Sequence, residues 1–346
     1  MAPLNPVSTA AIARLRTYKP PPFPLWDRLP VSRRAAVLML LYADRRGDLR
    51  VVITMRAASL RSFSGHAALP GGKADSVEET PYQIARREAW EEIGLPMDDS
   101  KIPAPFRIEQ LCYLPMNLAR TELIVRPCVA MLHATQPPIP TTTNLSSARA
   151  AAMPTVEDSL IPRLDAKEVA AVFSAPFHNF LRQTDEVDLQ REHHHNRPLP
   201  PGKWYEGSWT KWHDEQWRMH FFHVPVNNQR VTKPKEVRRD RGEEIDAISE
   251  PGDDRNNNNT EESKPLAAID EDSPGRFKVW GMTARMLVDA ATVAYGEPPE
   301  FEHNSHFGDE RLILGLDKMG RLGPKKQGGG LLTNEDLKKA SDASKM

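Results

Sequence analysis

Three carboxylates on one side of a short helix, directly behind a diglycine bend, constrain this 346-residue chain more than any other feature. The bend is Leu69-Pro70-Gly71-Gly72, and the acidic run is Arg87-Glu88-Ala89-Trp90-Glu91-Glu92-Ile93-Gly94. Thr80 suits the N-cap, Pro81 the first helical position, and Gln83 completes a capping box. Gly94 suits the residue that ends the helix. The spacing i, i+3, i+4 puts Glu88, Glu91 and Glu92 on one face, where like charges repel by a few tenths of a kcal/mol per pair. Such a stripe asks for a counter-charge. Arg86 and Arg87 supply one, which is the plain reading of a solvated acidic face. A hard divalent cation, Mg²⁺ or Mn²⁺, supplies another, since these prefer carboxylate oxygen. The two glycines let a ligand, or the helix's own carboxylates, come close to the backbone.

The rest of the chain reads as one mixed α/β domain with inserted loops. Ala35 to Tyr42 is continuously apolar, 44–48 is a polar turn, and Leu49 to Thr54 returns as a β-branched run, so the pair reads as a hairpin. Further strands are expected at Ile108 to Leu114, Leu123 to Leu132, Val169 to Phe173 and Trp217 to Val226. A closing helix is expected from Gly281 to Tyr295, ended by Gly296. Only 39% of residues are hydrophobic, 31 are Pro, and mean hydropathy is −0.55. Much of the length is therefore expected outside any core. The expected division is a flexible leader over 1–30, a single domain over 31–300 with disordered inserts at 135–155 and 227–275, and a flexible tail over 316–346. Cys112 and Cys128 read as buried free thiols, too few for a disulfide scaffold or a Cys-rich zinc module. The formal net charge of −1 excludes a chain that coats nucleic acid by charge, so no nucleic-acid partner is expected. No run approaches the ~20 apolar residues a bilayer needs, so no membrane partner is expected either.

The bend, then Glu78 or Glu79, then Arg87-Glu88-Ala89-x-Glu91-Glu92-x-Gly94-Leu95 resembles the Nudix box of the Nudix hydrolases. The loop is one residue longer than the common box, so its first acid falls on either Glu78 or Glu79. Upstream, Ile53-Thr54-Met55-Arg56-Ala57, Arg61, Gly65 and Leu69-Pro70-Gly71-Gly72-Lys73-Ala74-Asp75 resemble the signature of the coenzyme A diphosphatase branch, which has the longer loop. The resemblance covers roughly residues 33 to 132. It implies a Nudix α/β/α sandwich with a mixed sheet. It also implies Mg²⁺- or Mn²⁺-assisted hydrolysis of the diphosphate of coenzyme A or acyl-CoA to 3′,5′-ADP and 4′-phosphopantetheine or its acyl form. Glu88, Glu91 and Glu92 would hold metal, and Arg87 would brace the loop beside them. Arg56, Arg61, Gly71, Gly72 and Lys73 would bind substrate, since the arginine fork matches phosphate oxygens. Two alternatives remain: a Nudix hydrolase of ADP-ribose, NADH or another nucleoside diphosphate derivative, and a Nudix module that binds a nucleotide without cleaving it.

Other features read more plainly. His193-His194-His195 sits in a polar, Pro-rich stretch and reads as a solvated loop. Trp204, Trp209, Trp212, Trp217 and Tyr205 read as packing residues, with stacking on adenine the alternative. The C-terminal Ser344-Lys345-Met346 resembles the Ser-Lys-Leu address read by a peroxisomal import receptor. Arg14, Arg16 and Lys19, in a stretch free of acids, give mitochondrion as the alternative to peroxisome.

Overall fold

A computed structural model describes residues 4–57, 66–134, 156, 160, 169–186, 199–212, 215–227, 229, 231–233, 275–324 and 332–345. The apolar run becomes β1 (Arg34–Ala43), and β2 (Leu49–Arg56) returns antiparallel to it. Their pairing covers Leu41–Ala43 against Leu49–Val51. The strands then splay, and the wedge between them is filled by β3 (Ala67–Ala68) on β2 and β4 (Gly71–Lys73) on β1. Helix α2 (Pro81–Ile93) leaves directly after this wedge, behind an earlier helix, α1 (Pro6–Thr17). The predicted caps are present. Thr80 and Gln83 form the full capping box, and Gly94 ends the helix at φ 71°, in the left-handed region.

β5 (Phe106–Tyr113), β6 (Asn117–Leu118), β7 (Ile124–Ala134) and β8 (Val169–Pro176) complete an eight-stranded sheet. β1 and β7 run parallel and the other pairs antiparallel, so the sheet is mixed. β1 is apolar throughout because both its faces are covered. Ala36, Leu38, Leu40 and Tyr42 face α2, α4 (Glu310–Lys318) and α5 (Asn334–Lys345). Met39, Leu41 and Ala43 face α1 and α3 (Gly281–Tyr295), together with the inner side of a second, three-stranded sheet. That sheet is β9 (Tyr205–Trp212), β10 (Glu215–Pro225) and β11 (Arg276–Trp280). The expected α/β/α sandwich is thus present, with both cysteines buried and free. Among the described residues no helix is long and apolar enough to cross a membrane.

Three expectations are corrected. The leader is not flexible throughout: Asn5 caps α1, and Ala11, Ile12 and Leu15 are buried against the closing helix. The tail is not flexible throughout either. Leu316, Leu337 and Ala340 are buried where α5 packs on α4, and Gly315 touches Ala340 so closely that a Cβ would lie 1.8 Å from its carbonyl oxygen. Arg321 ties the two helices to the sandwich, bonding Glu122 and Asp336. The start of the second insert is also fixed, since Gln229 bonds Ser174 and Thr232 bridges Val172 of β8. Residues 135–155, 187–198 and 234–274, with the His193 to His195 run, lie outside the described residues.

Candidate active site

The splay of β1 from β2 sets the diglycine bend against the second half of α2, at Glu88 and Glu92. Gly71 has φ 155°, and a Cβ there would lie 2.4 Å from the Ala36 carbonyl oxygen, so only glycine fits against β1. Its amide donates to Glu92 Oε2 at 3.0 Å. Gly72 makes room for the next acid: a Cβ there would lie 2.4 Å from the carboxylate carbon of Glu88. The bend and the acidic face therefore meet through backbone, as the glycine pair implied.

Arg87 organises the loop before the helix. Its Nε donates to Glu79 Oε1 at 2.9 Å, its Nη2 to the Lys73 carbonyl at 2.7 Å, and its Nη1 to Glu88 at 3.1 Å and Glu91 at 3.4 Å. Glu79 Oε2 accepts the amides of Asp75 at 2.7 Å and Ser76 at 3.3 Å. Glu79, not the exposed Glu78, is thus the acid that closes the loop. Burial works to raise Glu79, but the guanidinium and the two amides outweigh it and hold it below the usual carboxylate range. Arg87 is in turn held above its ordinary value: its own burial opposes this, but Glu79 and Glu88 prevail. Glu88 goes the other way. Burial raises it, the Glu91 and Asp75 charges add to the rise, and Arg87 only partly offsets them. Arg86 leaves the acidic face and donates to the Pro96 carbonyl, Tyr82 and Asp99 around the helix end. The acidic stripe is therefore answered by one of its two neighbouring arginines.

A divalent ion fits this chemistry. The donors are hard carboxylate oxygens, one of them seated in a cradle that any side chain at position 72 would fill. As placed, Glu88 and Glu91 turn to Arg87, and Glu92 turns to the Gly71 amide. Among the described residues no three His, Cys, Asp or Glu side chains meet around one point.

The predicted substrate residues fall differently. Gly71 and Gly72 line the bend, and the Lys73 side chain is exposed beside it. Arg56 ends β2 at the splayed side, half-buried, and its amide donates to the His66 carbonyl at 3.1 Å. Arg61 lies outside the described residues. Sequence reasoning missed a polar chain that runs from the second sheet to α3. Tyr205 meets His220 at 3.1 Å, His220 meets His303 at 2.9 Å, and His303 meets Asp289 at 2.8 Å. Its members are scattered over more than eighty positions, with no local pattern to mark them. Trp204 and Tyr205 pack as expected: Trp204 is buried and donates to the Asn179 carbonyl, and Tyr205 stacks on Phe301.

The NUDIX domain family model matches residues 32–110. "Peroxisomal coenzyme A diphosphatase 1, peroxisomal" of Saccharomyces cerevisiae is 30% identical over 303 residues, covering 84% of this chain and 77% of that protein. "Nudix hydrolase 15, mitochondrial" of Arabidopsis thaliana is 26% identical over 269 residues, covering 78% of this chain and 61% of that protein. The crystal structure of a Nudix hydrolase from M. smegmatis, RenU, is 24% identical, covers 34% of this chain and 67% of its own, and gives a TM-score of 0.21. The chain belongs to the Nudix hydrolases, as a Nudix diphosphatase.

Proposed function

We propose that the protein hydrolyses the diphosphate bond of coenzyme A or its acyl derivatives, releasing 3′,5′-ADP and 4′-phosphopantetheine or the acyl form. The observation that carries this reading is the seat of Glu88 on Gly72, which brings the acidic helix and the diglycine bend together. The arginine signature around Arg56 and the name of the yeast relative favour coenzyme A over other nucleoside diphosphates.

Glu88, Glu91 and Glu92 would hold Mg²⁺ or Mn²⁺. A bound divalent ion polarises a phosphoryl oxygen and lowers the pKa of coordinated water. The chain's own residues do the rest. Arg87 and Glu79 fix the loop so that the bend does not drift from the helix. Gly71, Gly72 and Lys73 line the phosphate path, and Arg56 offers its fork to phosphate. Glu91, whose side chain is 37% exposed, is the member of the acidic face most open to water, and where it is left free of metal it would accept the attacking water's proton.

The peroxisome is the proposed compartment, addressed through Ser344-Lys345-Met346 and its import receptor. The yeast relative's name supports this, whereas the plant relative is named mitochondrial.

Incubating the purified full chain with coenzyme A and Mg²⁺, with products read by mass spectrometry, tests the reading. The expected products are 3′,5′-ADP and 4′-phosphopantetheine. Turnover of ADP-ribose or NADH with coenzyme A untouched would assign the site to another diphosphate.

A further inference from the structure

The outer face of the second sheet carries an aromatic row that its core does not use. Strand alternation sends Phe222, Val224, Phe277 and Val279 inward, where they are buried. It leaves Phe221, Lys278 and Trp280 half-buried on the other side. Phe221 and Trp280 are register partners, their rings stacked at 6.1 Å with 16° between planes. His66 extends the row, its ring 4.9 Å from Trp280. Two cations border it. Lys278 Nζ stands 5.2 Å from the Phe221 ring, and Arg56, bonded through its amide to His66, has a fully buried Nε with no hydrogen-bond partner.

The row connects to the diglycine bend through the chain. His66 leads through β3 and Pro70, whose carbonyl accepts the Leu38 amide, into Gly71. The five residues from His66 to Gly71 span at most about 18 Å of chain, so the row cannot lie farther than that from the bend along this path. Phe221, Lys278 and Trp280 lie outside residues 32–110, so the row is built largely from the part of the chain the NUDIX model does not match.

We propose that the Phe221–Trp280–His66 row is a stacking shelf for the adenine base of the substrate, with Lys278 and Arg56 receiving the phosphate on its ribose. Flat rings accept a nucleobase by stacking, and cations beside them suit an adenosine that carries a phosphate besides the diphosphate. This assignment rests on the coenzyme A reading, because coenzyme A carries the ribose phosphate that the two cations would receive.

Binding of 3′,5′-ADP by calorimetry tests the shelf without turnover. W280L is expected to weaken binding about ten-fold and W280F to keep it, with thermal melts matching the wild type. If W280L fails to fold, F221L replaces it with the same expectation. K278Q is expected to remove the preference for 3′,5′-ADP over 5′-AMP. No binding to the wild type, or equal binding to the wild type and W280L, overturns the shelf. Failure of the coenzyme A reading shows separately, in the turnover products of the wild type.

Discussion

The backbone of Gly72 and the carboxylate of Glu88 occupy adjoining space so fully that a single methyl group at position 72 would fall 2.4 Å from the carboxylate carbon. G72A must therefore displace Glu88 or open the bend. Displacement of a reacting group by about 1 Å costs on the order of 10²-fold in rate. G72A is expected to lose about that much in kcat/KM for coenzyme A hydrolysis while its circular dichroism melt stays near that of the wild type.

The lock of Arg87 on Glu79 separates two adjacent acids. E79Q is expected to lower divalent-ion affinity and turnover roughly 10- to 100-fold, as loss of a bracing partner does. R87A, which also loses the bonds to the Lys73 carbonyl, Glu88 and Glu91, should lose at least as much, and the double variant should be little worse than R87A, because the Glu79 bond is already gone. E78Q, which alters an exposed neighbour, is expected to behave as the wild type. Steady-state kinetics and a manganese titration on the four proteins decide it.

Those two acids also show where sequence reading stops. The capping box, the helix face and the diglycine bend were legible because each depends on residues within a few positions of one another. Glu78 and Glu79 were not separable, because the choice is made by how far the Arg87 guanidinium reaches across the loop. The same limit hid β9 and β11, which become strands only by pairing with β10. α1 did carry a local signal, Asn5 followed by Pro6 at the first helical position, but its few apolar side chains gain meaning only against α3. The tail helices were missed for a like reason: Gly315 marks a close helix crossing that depends on Ala340.

Because α1 is part of the core, Leu15→Ala should act as a cavity mutation. Leu15 is wholly buried, and such truncations cost about 2–5 kcal/mol. Urea denaturation is expected to show a loss in that range. A change below about 0.5 kcal/mol would mean that the leader contributes nothing to the fold.

Acid should destabilise the fold through His220. Burial chiefly, with the charges of His303, Arg218 and Arg285, pushes this imidazole down to about 2. In the unfolded chain it titrates near 6.5. Above that pH both states are neutral at this site and it contributes no slope. Below it the unfolded chain binds a proton that the folded chain refuses, so stability falls as pH drops, by about 1.4 kcal/mol per unit. His66 and His133, also lowered chiefly by burial, act in the same direction. Urea midpoints at pH 7.5 and 5.5 are expected to differ accordingly, and H220Q to show a shallower dependence.

The central claim is that Glu88, Glu91 and Glu92 capture a divalent ion beside the diglycine bend. Manganese binding to the full chain, followed by electron paramagnetic resonance of the free ion, tests it most directly. The wild type is expected to take up Mn²⁺, and E88Q and E92Q to bind it at least about ten-fold more weakly. Uptake by both variants equal to that of the wild type, or none by any of the three, would contradict it.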